Sequence, residues 1–193
     1  MSRLAESLKV ALLEVSHWHA PLYFEALRDL GVSVAAVSDG HPDVAARVAD
    51  GLGCPHYEDY RSLLDKERPE FVFAFGTHRR MPEMAKTVIE TGAGLAVEKP
   101  LGTRAADVHE VAKLAVRRSA FVAIPFVLRH GPLLEWIDRK RTQGSFGQLT
   151  HLGCRFIAGP PQRYLQSNSS WMLDPAASGG GCLINLGVHF IDL

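Results

Sequence analysis

The chain has 193 residues, 47% hydrophobic and 22% charged, enough for one generous core or one core and part of a second. Lysine plus arginine and aspartate plus glutamate number 21 each, so no basic field exists to attract nucleic acid. No apolar run approaches the ~20 residues that cross a bilayer. Cys54, Cys154 and Cys182 are odd in number and scattered, with no Cys-x-x-Cys pair, which suits inert thiols better than disulfides or a metal site. The opening Met1-Ser2-Arg3-Leu4-Ala5-Glu6 lacks the charged-then-apolar form of a signal peptide, so a cytoplasmic setting is expected.

In chain order, apolar runs alternate with stretches of helical period. The runs at 8–13, 32–37, near Tyr57, 71–75, 95–97 and 121–124 show little alternation, as strands covered on both faces do. Helices are predicted between them at 20–30, 42–52, 59–67, 82–91 and 105–118. Pro42 and Pro82 suit first turns, Thr103 or Arg104 marks a start, and Gly31, Gly53 and Gly92 suit stops. This alternation predicts an α/β fold with a Rossmann-type, doubly wound parallel sheet over residues 1–124. Residues 125–193 read as the start of an α+β domain: a helix at 133–140, one long strand at 148–157, a Gly/Pro/Ser/Asn-rich loop at 159–178 and a helix at 181–193. A single strand leaves its edges unpaired, so the reading expects partner strands beyond Leu193.

The first strand enters Glu14-Val15-Ser16-His17-Trp18-His19-Ala20, where a dinucleotide fold carries G-x-G-x-x-G. The three glycine positions hold Glu14, Ser16 and His19. Ser16 is small and its hydroxyl can donate to a phosphate. Glu14 is costly, by ~1–2 kcal/mol, if the turn needs a left-handed residue. Backbone N–H groups at the start of the next helix are expected to remain an anion site, with His17 and His19 available to offset the carboxylate. The bland alternative is a rigid turn with no nucleotide. Asp39 ends the second strand, where an acidic side chain grips the adenosine ribose and repels a 2′-phosphate, so NAD is expected over NADP. Asp39-Gly40 is equally a good turn dipeptide. His17-x-His19 makes a poor metal pair without further ligands nearby.

Glu98-Lys99-Pro100 closes the run Leu95-Ala96-Val97. A lysine beyond the carboxyl end of a parallel strand points a cationic donor into the crevice where such sheets bind ligands, and the bond to Pro100 is open to the cis form. Far along the chain, Ser178-Gly179-Gly180-Gly181 precedes a helix in which Asn185, His189 and Asp192 fall on one face at i, i+4 and i+7.

Together these stretches resemble the Gfo/Idh/MocA oxidoreductases, relatives of glucose–fructose oxidoreductase and inositol dehydrogenase. The likeness rests on Ala96-Val97-Glu98-Lys99-Pro100-Leu101, on Arg129 with Pro132, on Phe146-Gly147, and on Trp171 through the glycine run to His189-Phe190-Ile191-Asp192-Leu193. It implies an NAD-dependent enzyme passing hydride between nicotinamide and a sugar, cyclitol or related polyol. Lys99 would polarise the reacting oxygen and His189 would take or return its proton, with Asn185 orienting the ring. Ser16, His17, Trp18, Asp39, Gly76, Thr77, Glu98 and Lys99 would meet the cofactor, and Arg129, Tyr164 and Trp171 the substrate. No metal, nucleic acid or membrane partner is implied, and a homo-oligomeric parent is. The chain departs from the family in its first-turn glycines, in Met81 where relatives often carry histidine, and in Asn185 where many carry aspartate. Asparagine supplies no charge, so His189 is expected to be a weaker base. The competing expectations are a non-catalytic sugar- or nucleotide-binding relative and an inactive fragment.

Overall fold

The computed structural model describes residues 8–148 and 150–193. Six strands, β1 (Val10–Leu13), β2 (Val34–Ser38), β3 (His56–Tyr57), β4 (Phe71–Ala74), β5 (Gly94–Val97) and β6 (Val122–Ala123), form one parallel sheet ordered β3-β2-β1-β4-β5-β6. The strand order reverses between β1 and β4. Loops leaving those two strands diverge there and open the crevice in which such sheets bind ligands. The doubly wound α/β fold expected from the sequence is the fold observed.

The four residues of β1 are all buried, and their alternate side chains feed two cores. Ala11 and Leu13 join Val72, Leu95 and Val97 under α3 (Tyr60–Glu67), α4 (Met81–Thr91) and α5 (Ala105–Arg118). Val10 and Leu12 join Val37 and Phe75 under α1 (Ala20–Asp29) and α2 (Pro42–Leu52). A strand apolar at every position is what a sheet covered on both faces requires. Local chemistry sets the helix limits. Asp59 caps α3 through its carboxylate on Arg61 N and Ser62 N, and α2 stops where Gly53 turns left-handed at φ 67°.

Beyond β6 the chain is helical in short pieces. A 3₁₀ turn (Val127–His130) and α6 (Pro132–Thr142) come first. After an irregular stretch come α7 (Arg163–Gln166), a 3₁₀ turn (Ser170–Leu173) and α8 (Pro175–Ser178). A π-helical turn (Leu183–Gly187) then runs into α9 (Val188–Asp192). The strand expected at 148–157 is not formed. Residue 149 lies outside the described residues, and the rest of that stretch is exposed and irregular. A strand exists only as part of a ladder, and the described residues after β6 contain no second strand to pair with.

The helix expected at 181–193 is also not uniform. Its π-helical turn is one residue wider than an α turn, so Asn185, His189 and Asp192 do not share the simple 3.6-residue face assumed from spacing.

Candidate active site

Lys99 leaves the end of β5 through a cis bond to Pro100 and is 2% exposed. Its Nζ donates to the Asn185 carbonyl at 2.7 Å and to Asn185 Oδ1 at 2.9 Å. Asn185 Nδ2 in turn donates to the Tyr164 hydroxyl at 3.0 Å. The widened turn is central to this arrangement, because it leaves a backbone carbonyl of the helix turned toward a foreign ammonium. Burial pushes the Lys99 ammonium below its ordinary pKa; Glu98 opposes that shift and Arg163 adds to it.

The structure thus directs Asn185 to Lys99, where the sequence reading directed it to His189. His189 is half-buried against the edge of Phe126, and its Nδ1 has no protein partner. Burial, then the charge of Lys99, lowers its pKa, with Glu98 pulling the other way. The Lys99 charge is thus among the causes that keep His189 below its ordinary pKa. Arg129 is placed elsewhere: its guanidinium makes a two-pronged pair with the Asp192 carboxylate on the exposed side of α9.

Glu98 anchors a second array. Its Oε1 lies 3.0 Å from His19 Nδ1 and its Oε2 accepts from the Tyr23 hydroxyl at 2.9 Å. His19, the residue before α1, and Tyr23 within it stand one turn apart, so both reach the same carboxylate. Burial alone would raise the Glu98 carboxyl, but the His19 hydrogen bond and the neighbouring His19, His17 and Lys99 hold it below the usual range. Aromatic rings pack over the array. His17 lies 5.7 Å from Trp171, His78 lies edge-on to Trp171 at 4.9 Å, and Trp18 meets Tyr164 at 5.6 Å. Burial lowers His17 to about 3 and His78 to about 4, so both rings are neutral at neutral pH. His78 Nδ1 faces the Ser178 carbonyl at 2.9 Å and must carry the proton there, which leaves Nε2 as a buried acceptor without a protein partner.

The first turn accounts for its own backbone. Glu14 N and Val15 N donate to Ser38 O, Ser16 N to Asp39 Oδ2, His17 N to Glu14 O and Ala20 N to His17 O. Trp18 N donates to Ser169 Oγ at 3.1 Å, His19 N to His17 Nδ1 at 3.1 Å, and Leu22 N to His19 O. Pro21 has no donor. The anion site expected at the start of α1 is therefore not open: successive tight turns feed the helix and engage the donors a phosphate would use. Glu14 does take the left-handed conformation, at φ 59°, that a glycine usually supplies. Burial, then Asp39, pushes its carboxyl up to about 7. Asp39 is fully buried; Oδ2 accepts from Ser16 N at 2.6 Å, and Oδ1 from His41 N at 2.8 Å and lies 2.9 Å from His41 Nδ1. Gly76 is buried beneath α4, where a Cβ would sit 2.9 Å from the Met84 methyl, and Thr77 O accepts the first N–H groups of α4.

Tyr23, His78 and Ser169 belong to the site but were not singled out from sequence, and His19 was singled out only for the first turn and not as a partner of Glu98. The i, i+4 spacing of His19 and Tyr23 was the available signal, though their shared partner Glu98 lies 75 residues beyond Tyr23. Ser169 gave no signal, since its partners Trp18 and Ser16 lie 151 and 153 residues away.

Residues 14–126 match the family described as oxidoreductase family, NAD-binding Rossmann fold, and residues 136–193 match the GFO/IDH/MocA C-terminal domain. The chain belongs to the Gfo/Idh/MocA oxidoreductase family, and its first part is that family's NAD-binding domain. It is 25% identical over 163 residues to the rhizopine catabolism protein MocA of Rhizobium meliloti, covering 83% of this chain and 48% of that protein. It is 26% identical over 157 residues to dTDP-3,4-didehydro-2,6-dideoxy-alpha-D-glucose 3-reductase of Streptomyces violaceoruber, covering 80% and 43%. Its fold is similar to that of the WlbA dehydrogenase of Bordetella pertussis solved with NADH and UDP-GlcNAcA, at TM-score 0.88 and 18% identity, covering 97% of this chain and 56% of that one. An inositol dehydrogenase homolog of Azotobacter vinelandii solved with NAD+ gives TM-score 0.87 at 19% identity, covering 99% and 53%. The chain spans about half the length of these relatives.

The residues fit a nicotinamide dinucleotide at the crevice. Trp18 Nε1, His78 Nε2 and His189 Nδ1 are buried there without protein partners, and such atoms call for a ligand or water. At the first turn the fit requires an exchange, because the Trp18 N–H is held by the hydroxyl of a remote segment rather than by its own backbone.

Proposed function

We propose that this chain carries the cofactor domain and part of the substrate site of an NAD-dependent oxidoreductase acting on a sugar, cyclitol or related polyol. The observation that supports it most is the buried Lys99 ammonium fixed by Asn185 from the far side of the crevice. An ammonium has three donors, and Asn185 engages two, so one N–H remains for the reacting oxygen. That donor stabilises the negative charge that grows on this oxygen as the carbon changes oxidation state. His189 stays neutral at neutral pH because burial and Lys99 lower its pKa, and it is therefore ready to take the hydroxyl proton. NAD supplies the hydride acceptor, or NADH the donor, for that step. Tyr164 fixes Asn185 and through it the lysine, while Trp171 walls the crevice beside His17 and His78. Residues 1–124 would form the cofactor domain and 125–193 the beginning of the substrate domain.

A second reading, a relative that binds ligand without turnover, is favoured by the fully partnered N–H groups of the first turn. NADH fluorescence titration separates the two. Saturable binding, with sugar or polyol oxidation that disappears in Lys99→Ala, supports the enzyme. No binding at millimolar NADH, or turnover unchanged in Lys99→Ala, overturns it.

A further inference from the structure

The structure assigns the reading of the adenosine ribose to Glu14 rather than Asp39: Glu14 accepts the 2′-hydroxyl and rejects a 2′-phosphate. This rests on the dinucleotide reading of the crevice. Both residues stand at the ends of the paired strands β1 and β2, where the ribose of a dinucleotide is recognised. Asp39 is 0% exposed, and each of its oxygens is engaged by the protein, with Ser16 N on one and His41 on the other. It ties the first turn to β2 and offers nothing outward.

Glu14 is different. It is part-exposed, and its left-handed backbone carries its side chain across to the end of β2, beside the backbone of Gly40. A carboxyl group has about four lone-pair sites, so acceptor capacity is there for a ligand. Gly40 itself is exposed, and a Cβ there would lie 4.0 Å from Glu14 Oε2, so the carboxyl sits at an open lip. The charged groups facing it are Asp39 from β2, Arg80 at the start of α4 and His41 before α2.

This setting defines the chemistry. A ribose diol brings O–H donors that a carboxyl accepts, whereas a 2′-phosphate brings negative charge beside Glu14 and Asp39. With Glu14 made neutral, Arg80 and His41 remain to receive that phosphate. Because burial and Asp39 raise the Glu14 carboxyl to about 7, rejection of the phosphate strengthens as pH rises from 6 to 8 and the carboxyl gains its charge.

Calorimetric titration with ADP-ribose and 2′-phospho-ADP-ribose tests the assignment at pH 6, 7 and 8. Neither ligand has a nicotinamide ring, so hydride chemistry at Lys99 and His189 can fail without touching the result. The wild type is expected to favour ADP-ribose by about tenfold or more at pH 8 (~1.4 kcal/mol per decade), and less at pH 6. Glu14→Gln should weaken ADP-ribose, narrow the ratio at least threefold and flatten its rise between pH 7 and 8, above the second ionisation of the phosphate itself at about 6. Glu14→Asp, which keeps the charge and shortens the reach, should weaken ADP-ribose yet still reject the phosphate. Asp39→Asn should lower the melting temperature and, because Glu14 then ionises at lower pH, move the onset of phosphate rejection to lower pH while ADP-ribose stays preferred at pH 8. Collapse of the ratio in Asp39→Asn with none in Glu14→Gln overturns the assignment, as does a wild type that binds neither ligand or prefers the phosphorylated one.

Discussion

Removing the side-chain acceptor of Lys99 tests the geometry on which the catalytic reading rests. Asn185→Leu deletes Oδ1, which lies 2.9 Å from Nζ, and leaves only the backbone carbonyl at 2.7 Å to hold an ammonium that is 2% exposed. A hydrogen bond to a charged group contributes roughly 1.5–3 kcal/mol, and the Tyr164 hydroxyl loses its donor as well. The expected loss at pH 7 is therefore about 2–4 kcal/mol, or a melting temperature lower by roughly 4–16 °C for a chain of this size. The pH dependence has a definite sign. Lys99 holds its proton less tightly folded than unfolded, so this site gains stability as pH rises and loses it as pH falls. A neutral amine gains less from a carbonyl acceptor than an ammonium does, so the deficit of Asn185→Leu should shrink toward alkaline pH. Urea denaturation of wild type, Asn185→Leu, Lys99→Met and the double variant completes the cycle, with an expected coupling of about 1.5–3 kcal/mol. A coupling near zero would mean that the two residues only lie close, and would refute the reasoning.

His17 and His78 sit neutral in the fold, lowered by burial to about 3 and about 4 from 6.5. Their contribution is complete above the unfolded value and falls away as pH drops from 6.5 toward 4; His17→Gln should show a smaller acid loss in urea midpoints between pH 7 and 4.5, and an equal loss would remove His17 from the account. Ser169→Ala frees the Trp18 N–H for a phosphate oxygen, so NADH should bind about two- to tenfold tighter by fluorescence, the worth of one hydrogen bond; weaker binding would show that the hydroxyl supports the cofactor instead of competing with it.

The strands of the sheet were readable because residues such as Leu12 and Leu13 are apolar on both faces, a pattern that local sequence displays in full. Pro42, Gly53 and Gly92 marked helix ends for reasons equally local. The segment 148–157 misled for the opposite reason: its pattern was that of a strand, but a strand is defined by its neighbour. Lys99 could be placed at a crevice from its position after Val97, yet its partner could not. Asn185 was placed on one face with His189 by counting 3.6 residues per turn, and one π-helical turn altered that count. The first turn was legible as lacking glycines. That its N–H groups are taken up by His17 Nδ1, Asp39 and Ser169 was not, because two of those acceptors come from other segments of the chain.

The contact between Lys99 and Asn185 joins residues 86 positions apart. During synthesis the sheet around β5 can assemble while the anchor for its lysine is still to be made. Until that later stretch emerges and docks, the nascent protein holds the Lys99 cation without the two acceptors that Asn185 supplies.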